Sequence, residues 1–381
     1  MIILFITHYS EMYGANKSLC RIMVTLKKHH QVNPIVLIRH EGPIVKFLEE
    51  NSIPYIVSHF YWWVYEKDGL RDRLHNLLKQ LRNFYKLMPI YKKIGNLHID
   101  LVYTNSITIN IGFFIARKYK RPHIWHIRES LEQFQFKLAM GRRLSKKFLT
   151  KAADRYILIS DYLIRSYGNL LPADKTVRIY NGVEIPNRPV QKKKPLDVVN
   201  LCVLGVVSEQ KNQMDAVQAF HILVNKRGNK NIHLHLAGTH KKDYRVRITD
   251  YIKTNELTNF ITWHGHVSDI DHFLNSMHIG LVCAKDEAFG RVSIEFMMHA
   301  MPVIASRSGA NEELVADGLN GLLYELYNIA ELADRIDFLL RYPDQIAKMG
   351  CSGFEHAVRD FSSQRNAAAV SKQISAVTRQ I

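Results

Sequence analysis

Two glutamates, Glu287 and Glu295, stand with seven residues between them in the run Glu287-Ala-Phe-Gly-Arg-Val-Ser-Ile-Glu295. The preceding segment, Ile279–Ala284, reads as a strand. A helix is expected just after Gly290, running through Ser293, Glu295 and Met298. The backbone N–H groups at such a helix start, those of Gly290, Arg291 and Val292, favour a phosphate. Glu287 then lies in the loop before the helix, and Glu295 about one and a half turns into it. Two carboxylates flanking an anion site make chemical sense for a sugar nucleotide. Each accepts hydrogen bonds from hydroxyls, one set on the sugar and one on the ribose. Taken by themselves, two acids near a helix start are also what the helix dipole favours.

Residues placed in this way need strands that end at a common edge. The first half alternates short apolar runs with helix-length segments. Strands are expected at Ile2–Thr7, Ile35–Arg39, Tyr55–Ser58, Leu101–Thr104, Ile124–Ile127 and Tyr156–Ser160, with helices such as Asn16–His29 and Thr108–Lys118 between them. The same alternation restarts near residue 197, with strands at Val198–Val207, Ile232–Ala237, Phe260–Trp263, Ile279–Ala284 and Val303–Ser306 and a helix over Lys211–Lys226. The expected fold class is therefore α/β, with two Rossmann-like doubly wound domains facing a cleft. The expected boundaries are 1–186 for the first domain, 187–196 for a Pro- and Lys-rich linker and 197–360 for the second domain. Residues 361–381 form a terminal helix returning to the first domain. With 47% hydrophobic and 23% charged residues in 381, the chain is globular and neither disordered nor fibrous. No apolar run reaches the roughly 20 residues that span a bilayer. Met1–Thr7 reads as a buried strand and not as a leader. Cys20, Cys202, Cys283 and Cys351 form no CxxC and point to core packing in a reducing compartment.

The motif around the two acids continues with Met301-Pro-Val-Ile-Ala-Ser306, Ser308-Gly-Ala-Asn-Glu-Glu313 and Asp317-Gly-Leu-Asn-Gly-Leu-Leu323. This order resembles the retaining glycosyltransferases of the two-domain B fold, specifically the family 4 group, over almost the full chain. The resemblance implies that Glu287 orients the donor sugar and Glu295 the ribose, with Phe289, Gly290, Arg291 and Val292 around the donor. Lys211, in Gly205-Val-Val-Ser-Glu-Gln-Lys211, resembles the lysine that neutralises the leaving diphosphate. Gly14, in Tyr13-Gly-Ala-Asn16, resembles the Gly-rich loop near donor and acceptor. His126, in Trp125-His-Ile-Arg-Glu129, resembles the histidine at the donor sugar. Tyr180-Asn-Gly-Val-Glu184 resembles the segment that precedes the linker. The chemistry implied is front-face transfer with retention, without metal or other cofactor. The product is glycan, as in bacterial surface polysaccharide biosynthesis.

Some positions depart from the family pattern. Val206 replaces an arginine at the diphosphate, which leaves Arg291 or Arg128 to supply that charge. Ala15, Ala300 and Ala310 replace glycines, and Phe296 replaces a small residue and is expected to face the core.

The charge is one-sided. Residues 1–190 hold 30 basic and 14 acidic side chains, net +16, against 22 and 21 beyond, net +1. One half therefore faces a polyanion. Residues 66–95 combine eight basic side chains with leucines at helical spacing, an amphipathic basic helix. Arg71, Arg82, Lys86, Trp62 and Trp63 are the expected acceptor or membrane side. Together with the resemblance they point to a lipid-linked or other glycan acceptor and to a cytoplasmic protein peripheral at the inner face of the plasma membrane. A soluble small-molecule or protein acceptor is the alternative, and a sugar-nucleotide epimerase shares the fold. No recognition motif supports nucleic acid as the partner. The His233-Leu-His235, His264-Gly-His266 and Asp269-Ile-Asp271 pairs lack further ligands and are not expected to hold metal, Asp269 reading as a helix cap.

Overall fold

The computed structural model describes residues 1–66, 69–185, 197–239 and 242–379. The expected linker over residues 187–196 lies outside the described residues. The chain divides into two compact units, one made of Met1–Gly182 and Ser363–Ile381, the other of Val183–Ser362.

The first unit opens with β1 (Ile2–Thr7), α1 (Gly14–His29), β2 (Asn33–Ile38), α2 (Pro43–Glu50) and β3 (Tyr55–Val57). Then follow β4 (Val64–Tyr65), α3 (Leu70–Ile94), β5 (Leu101–Asn105), α4 (Ile111–Tyr119) and β6 (His123–Ile127). It continues with β7 (Lys137–Leu138), α5 (Gly141–Ala152), β8 (Arg155–Leu158), α6 (Asp161–Tyr167) and β9 (Thr176–Arg178). Seven strands form one parallel sheet in the order β3-β2-β1-β5-β6-β8-β9, and β4 and β7 pair as a short antiparallel ribbon. Side chains alternate across the sheet. Ile3, Phe5, Val36 and Ile38 enter one apolar cluster, and Leu4, Ile6, Leu37 and Val102 another on the opposite face. Both faces are covered, which is why β1 is apolar almost throughout.

The second unit runs β10 (Val199–Leu204), α7 (Gln213–His221), β11 (Ile232–Ala237), α8 (Lys242–Thr254), β12 (Ile261–Gly265), α9 (Ile270–Asn275) and β13 (Ile279–Val282). Then come α10 (Arg291–Met298), β14 (Val303–Ser306), α11 (Asn311–Leu314), β15 (Gly321–Tyr324), α12 (Ile329–Arg341) and α13 (Asp344–Phe361). Its six strands are parallel, in the order β12-β11-β10-β13-β14-β15. The last helix, α14 (Ser363–Thr378), packs on α1 of the first unit and adds Ala367, Val370, Ile374 and Val377 to that core.

Phe296 is fully buried, and it is accommodated by a glycine on the neighbouring strand: a Cβ at Gly280 would lie 2.1 Å from its ring. Ala310 has ordinary helix-entry backbone, whereas Ala300 holds φ +50°, a left-handed conformation that its Cβ disfavours. Strand β15 lies in a segment expected to be loop, because four apolar residues carry too little pattern to mark an edge strand. None of the four cysteines forms a disulfide, and Cys20, Cys202 and Cys283 are buried.

The aromatic run before α3 does not face a membrane, contrary to expectation. Phe60 and Trp63 have no exposed surface. The Trp63 indole donates to the Ile107 carbonyl and packs against Trp125 and Phe148. The Trp62 indole donates to the His8 carbonyl at 3.0 Å, and its ring joins a core cluster. Indole rings with an internal acceptor are worth more packed than solvated. Helix α3, by contrast, buries Asn83, Leu87, Ile90 and Ile94 and leaves Leu74, Leu77, Leu78, Leu81, Phe84, Tyr85 and Met88 outward. Exposure of these runs from 45% at Leu78 to 80% at Tyr85. Arg71 and Arg82 are exposed on the same helix, and Lys86 is half-buried. Among the described residues, no helix is long and apolar enough to cross a membrane.

Candidate functional site

In the second unit, β13 delivers the chain into the loop that carries Glu287. Gly290 turns it with φ +84°, and α10 begins. Glu287 is held from three sides. Lys211, from the loop after β10, forms an ion pair with its carboxylate. The backbone amides of Gly290 and Phe289 also bond that carboxylate. Behind it, the Ala310 amide donates to the Glu287 carbonyl at 2.7 Å, and the Asp286 amide donates to Ser308 Oγ at 2.8 Å. Gly309 lies so close that a Cβ there would meet the Glu287 backbone oxygen at 2.3 Å and nitrogen at 2.4 Å. Burial pushes the Glu287 carboxyl upward, but Lys211 and the two amides outweigh it and hold it below the usual glutamate value.

This arrangement corrects one expectation. The Gly290 amide, expected to face a phosphate, is already bonded to Glu287, so the anion at this helix start is the protein's own carboxylate. Glu295 pairs with Arg291 at 2.8 Å, one turn apart on α10. Phe289 is buried against Phe361, at 6.0 Å between ring centroids. Val206, where an arginine was missing, is 40% exposed.

In the first unit, His126 ends β6 and is fully buried. Arg128 follows it, and its guanidinium is engaged at each nitrogen. Nε donates to Asn105 Oδ1 at 2.5 Å, Nη1 to Asn181 Oδ1, and Nη2 to His126 Nδ1 at 3.2 Å. Arg128 was one candidate for the missing diphosphate charge; it serves instead to tie the ends of β5 and β6 to the segment after β9. Burial, together with the Arg128 charge, takes His8 down to about 3 and holds His126 well below the usual imidazole value. Burial also raises the Glu129 carboxyl, against hydrogen bonds from Ser106 and the Ile107 and Arg128 amides. Gly14 is the first residue of α1, and a Cβ there would meet nothing within 4 Å. The loop before it is fixed by Asn16, whose amide donates to the carbonyls of Tyr9 at 2.9 Å and Glu11 at 2.8 Å.

Sequence reasoning named the acids and the lysine, but not their clamps. The Ser308-Gly-Ala run was visible as a motif, yet its contact with Glu287 is long-range. Asn105 and Tyr103 carried no signal at all, and Asn16 was visible only as part of the loop around Gly14. Of the histidine pairs, His235 Nδ1 lies 2.8 Å from His264 Nε2, and His233 Nε2 lies 2.8 Å from Thr262 Oγ1. Among the described residues no three His, Cys, Asp or Glu side chains are placed to hold a metal. Asp269 caps α9 by accepting from the His272 amide.

Two parallel α/β units of this kind define the glycosyltransferase B fold. HepE of Anabaena, solved in complex with UDP, superimposes with a TM-score of 0.79 over 99% of this chain and 100% of its own, at 21% identity. TarM of Staphylococcus aureus, at 12% identity, reaches 0.76 over 98% and 100%. The model of Glycosyl transferases group 1 matches residues 185–356, and that of Glycosyltransferase Family 4 matches residues 25–185. The chain belongs to the glycosyltransferases of this group 1/family 4 type. Similar sequences include the uncharacterised glycosyltransferase MJ1178 of Methanocaldococcus jannaschii, 26% identical, covering 81% of this chain and 86% of the relative. The capsular polysaccharide biosynthesis glycosyltransferase CapM of Staphylococcus aureus is 25% identical over 78% and 79%.

Proposed function

We propose that this glycosyltransferase moves a sugar, with retention, from a nucleoside-diphosphate donor to a lipid-linked or other glycan acceptor in the synthesis of a surface polysaccharide. The observation that carries the reading is the Lys211–Glu287 pair set at the start of α10. A diphosphate arriving beside Lys211 competes with Glu287 for its ammonium and frees the carboxylate to accept sugar hydroxyls. As the glycosidic bond breaks, negative charge grows on the leaving phosphate, and Lys211 stabilises that state more than the bound donor. Glu295, with Arg291, takes the ribose. The departing phosphate receives the acceptor proton, so neither a protein nucleophile nor a metal is needed. HepE has been solved with UDP and with UDP-glucose, which supports a donor of that class. CapM acts in capsule synthesis, which supports the product class.

The acceptor is assigned to the first unit. A cavity of about 940 Å³ there is lined by apolar residues such as Leu131 and Phe136 and by both charges, Arg73, Lys137 and Arg142 with Glu66 and Glu132, a mixture suited to an amphiphile with a polar head. The outward apolar face of α3, with Arg71 and Arg82, suits an anionic membrane surface at the cytoplasmic side.

Calorimetry with UDP and transfer assays with UDP-sugars test the donor roles. Glu287→Ala is expected to abolish transfer without weakening UDP binding, since it removes the carboxylate that competes for Lys211, and Glu295→Ala to weaken UDP itself. Equal loss of UDP affinity in both would overturn the assignment. An inverted anomeric centre in the product would overturn retention.

A further inference from the structure

We infer that Arg128 and Tyr103 are positioning residues that fix His126 as a ring protonated on Nε2, so that it meets bound ligand as a hydrogen-bond donor and not as a base. This rests on the glycosyltransferase reading for the ligand, but the geometry is internal to the first unit. Arginine has only donors. Its Nη2 points at His126 Nδ1 at 3.2 Å, so a proton on Nδ1 would stand donor against donor. Nδ1 must therefore carry its lone pair, and the Tyr103 hydroxyl, 2.5 Å away, donates to it as well. The neutral ring then has its one proton on Nε2.

That Nε2 is buried and has no hydrogen-bond partner in the protein, while the residue has no exposed surface. A buried donor left unpaired is costly, and such groups are retained where a ligand completes them. Arg128 is itself immobilised by Asn105 and Asn181, so the ring is held by a chain of fixed partners. The same cation resists any second proton on the imidazole, which removes general-acid and general-base duty from it. The ligand class is an oxygen acceptor on the donor substrate, either a sugar hydroxyl or a phosphate oxygen.

Nitrogen-15 spectra of the imidazole rings, with His126 assigned by its loss in His126→Gln, test this on the free protein. A protonated Nε2 with a bare Nδ1 is expected at neutral pH; an Nδ1–H ring or an imidazolium would overturn the proposal. Arg128→Met is expected to give mixed tautomers, with Arg128→Lys keeping more of the Nε2–H form, while Tyr103→Phe, which leaves the Arg128 donor in place, is expected to keep that tautomer and move the Nδ1 resonance. An unchanged tautomer in Arg128→Met, or an unmoved Nδ1 resonance in Tyr103→Phe, would remove that residue's positioning role. UDP-glucose and UDP are the ligand probes. A shift of the Nε2–H signal with UDP-glucose alone assigns a sugar hydroxyl, and a shift with both assigns a phosphate oxygen. No shift at saturating nucleotide would overturn the donor role. In transfer assays, His126→Gln retains an N–H at the Nε2 position and is expected within about tenfold of wild type, the range of one neutral hydrogen bond. His126→Ala should fall well below it, and equal losses would point back to a base. Failure of wild type to transfer from any nucleoside-diphosphate sugar would instead sink the enzymatic reading and leave the ring spectra standing.

Discussion

Lys211 and Glu287 stand 76 residues apart in the chain and meet as a largely buried ion pair. The pair explains how a carboxylate can be kept charged at a helix start inside the protein. Lys211→Met would leave Glu287 without its counter-ion, and a loss of at least about 1 kcal/mol of stability is expected at neutral pH. Glu287 sits below its unfolded value when folded, so its contribution is complete above about pH 4.3 and fades as the pH falls through the lower folded value. The gap in urea midpoint between wild type and variant should therefore close in acid. A gap that stays constant down to pH 3 would show that the pair contributes nothing. Turnover should drop tenfold or more, as the loss of one charge-assisted contact implies.

Gly309 is required by a close approach as well as by its φ of +64°. Gly309→Ala should push the Glu287 backbone aside and cut transfer at least about tenfold, since a small misplacement at a reacting centre is expensive. Gly318 offers the control. Its φ is +81° but nothing lies within 4 Å of a Cβ, so Gly318→Ala meets only backbone strain of about 1–2 kcal/mol. If both variants retain full kcat, the Ser308-Gly-Ala segment does not position Glu287.

Helix α3 makes the membrane proposal testable in two parts. Reversing Arg71, Arg82 and Lys86 to Glu should release the protein from anionic vesicles at low salt, each basic residue being worth about 1 kcal/mol at most. Changing Leu78, Leu81 and Tyr85 to Ser should remove the binding that survives high salt. Neither set should alter UDP affinity. Trp63→Ala should lower stability by about 3–5 kcal/mol instead of acting at a membrane, because its ring is core. Absence of wild-type co-sedimentation at low salt would favour a soluble acceptor.

His123 should steepen the acid sensitivity of the first unit. Burial takes it down to about 4, against raising contributions from its bond to the Ala152 carbonyl and from Asp154. Its Nδ1 lies 2.6 Å from that carbonyl and its Nε2 2.7 Å from Thr104 Oγ1, an arrangement for the neutral ring. A depressed histidine binds its proton in the unfolded state first. Stability is unaffected above about pH 6.5 and falls by about 1.4 kcal/mol per pH unit from there to the folded value. His123→Gln should flatten the slope by that amount between pH 6 and 4, read from urea midpoints. An unchanged slope would mean that His123 is already protonated when folded.

Much of the framework was legible because it is local. Strand β1 reads from its own apolar run, and the helix after Gly290 reads from a glycine followed by 3.6-residue periodicity. Glu287, Glu295 and Lys211 were legible through the order of residues around them. The burial of Trp62 and Trp63 was not. A run of aromatics bounded by polar residues has the same composition at a membrane and in a core, and only the carbonyls of His8 and Ile107 distinguish the two. The leucines of α3 show the converse. Their spacing marks an apolar face, but whether anything covers that face depends on where the sheet lies.

The sequence by itself determined the two α/β units, the one-sided charge and the two acids, since periodicity, net charge and motif spacing are properties of the chain. Tertiary structure alone decided what each polar group faces. Glu287 met Lys211, Gly309 closed on the Glu287 backbone, and Arg128 turned toward His126 and not toward an open site. The physical reason is that hydrogen bonding and charge pairing act over about 3 Å in space, and residues far apart in sequence reach that distance only when parallel strands bring their ends to a common edge.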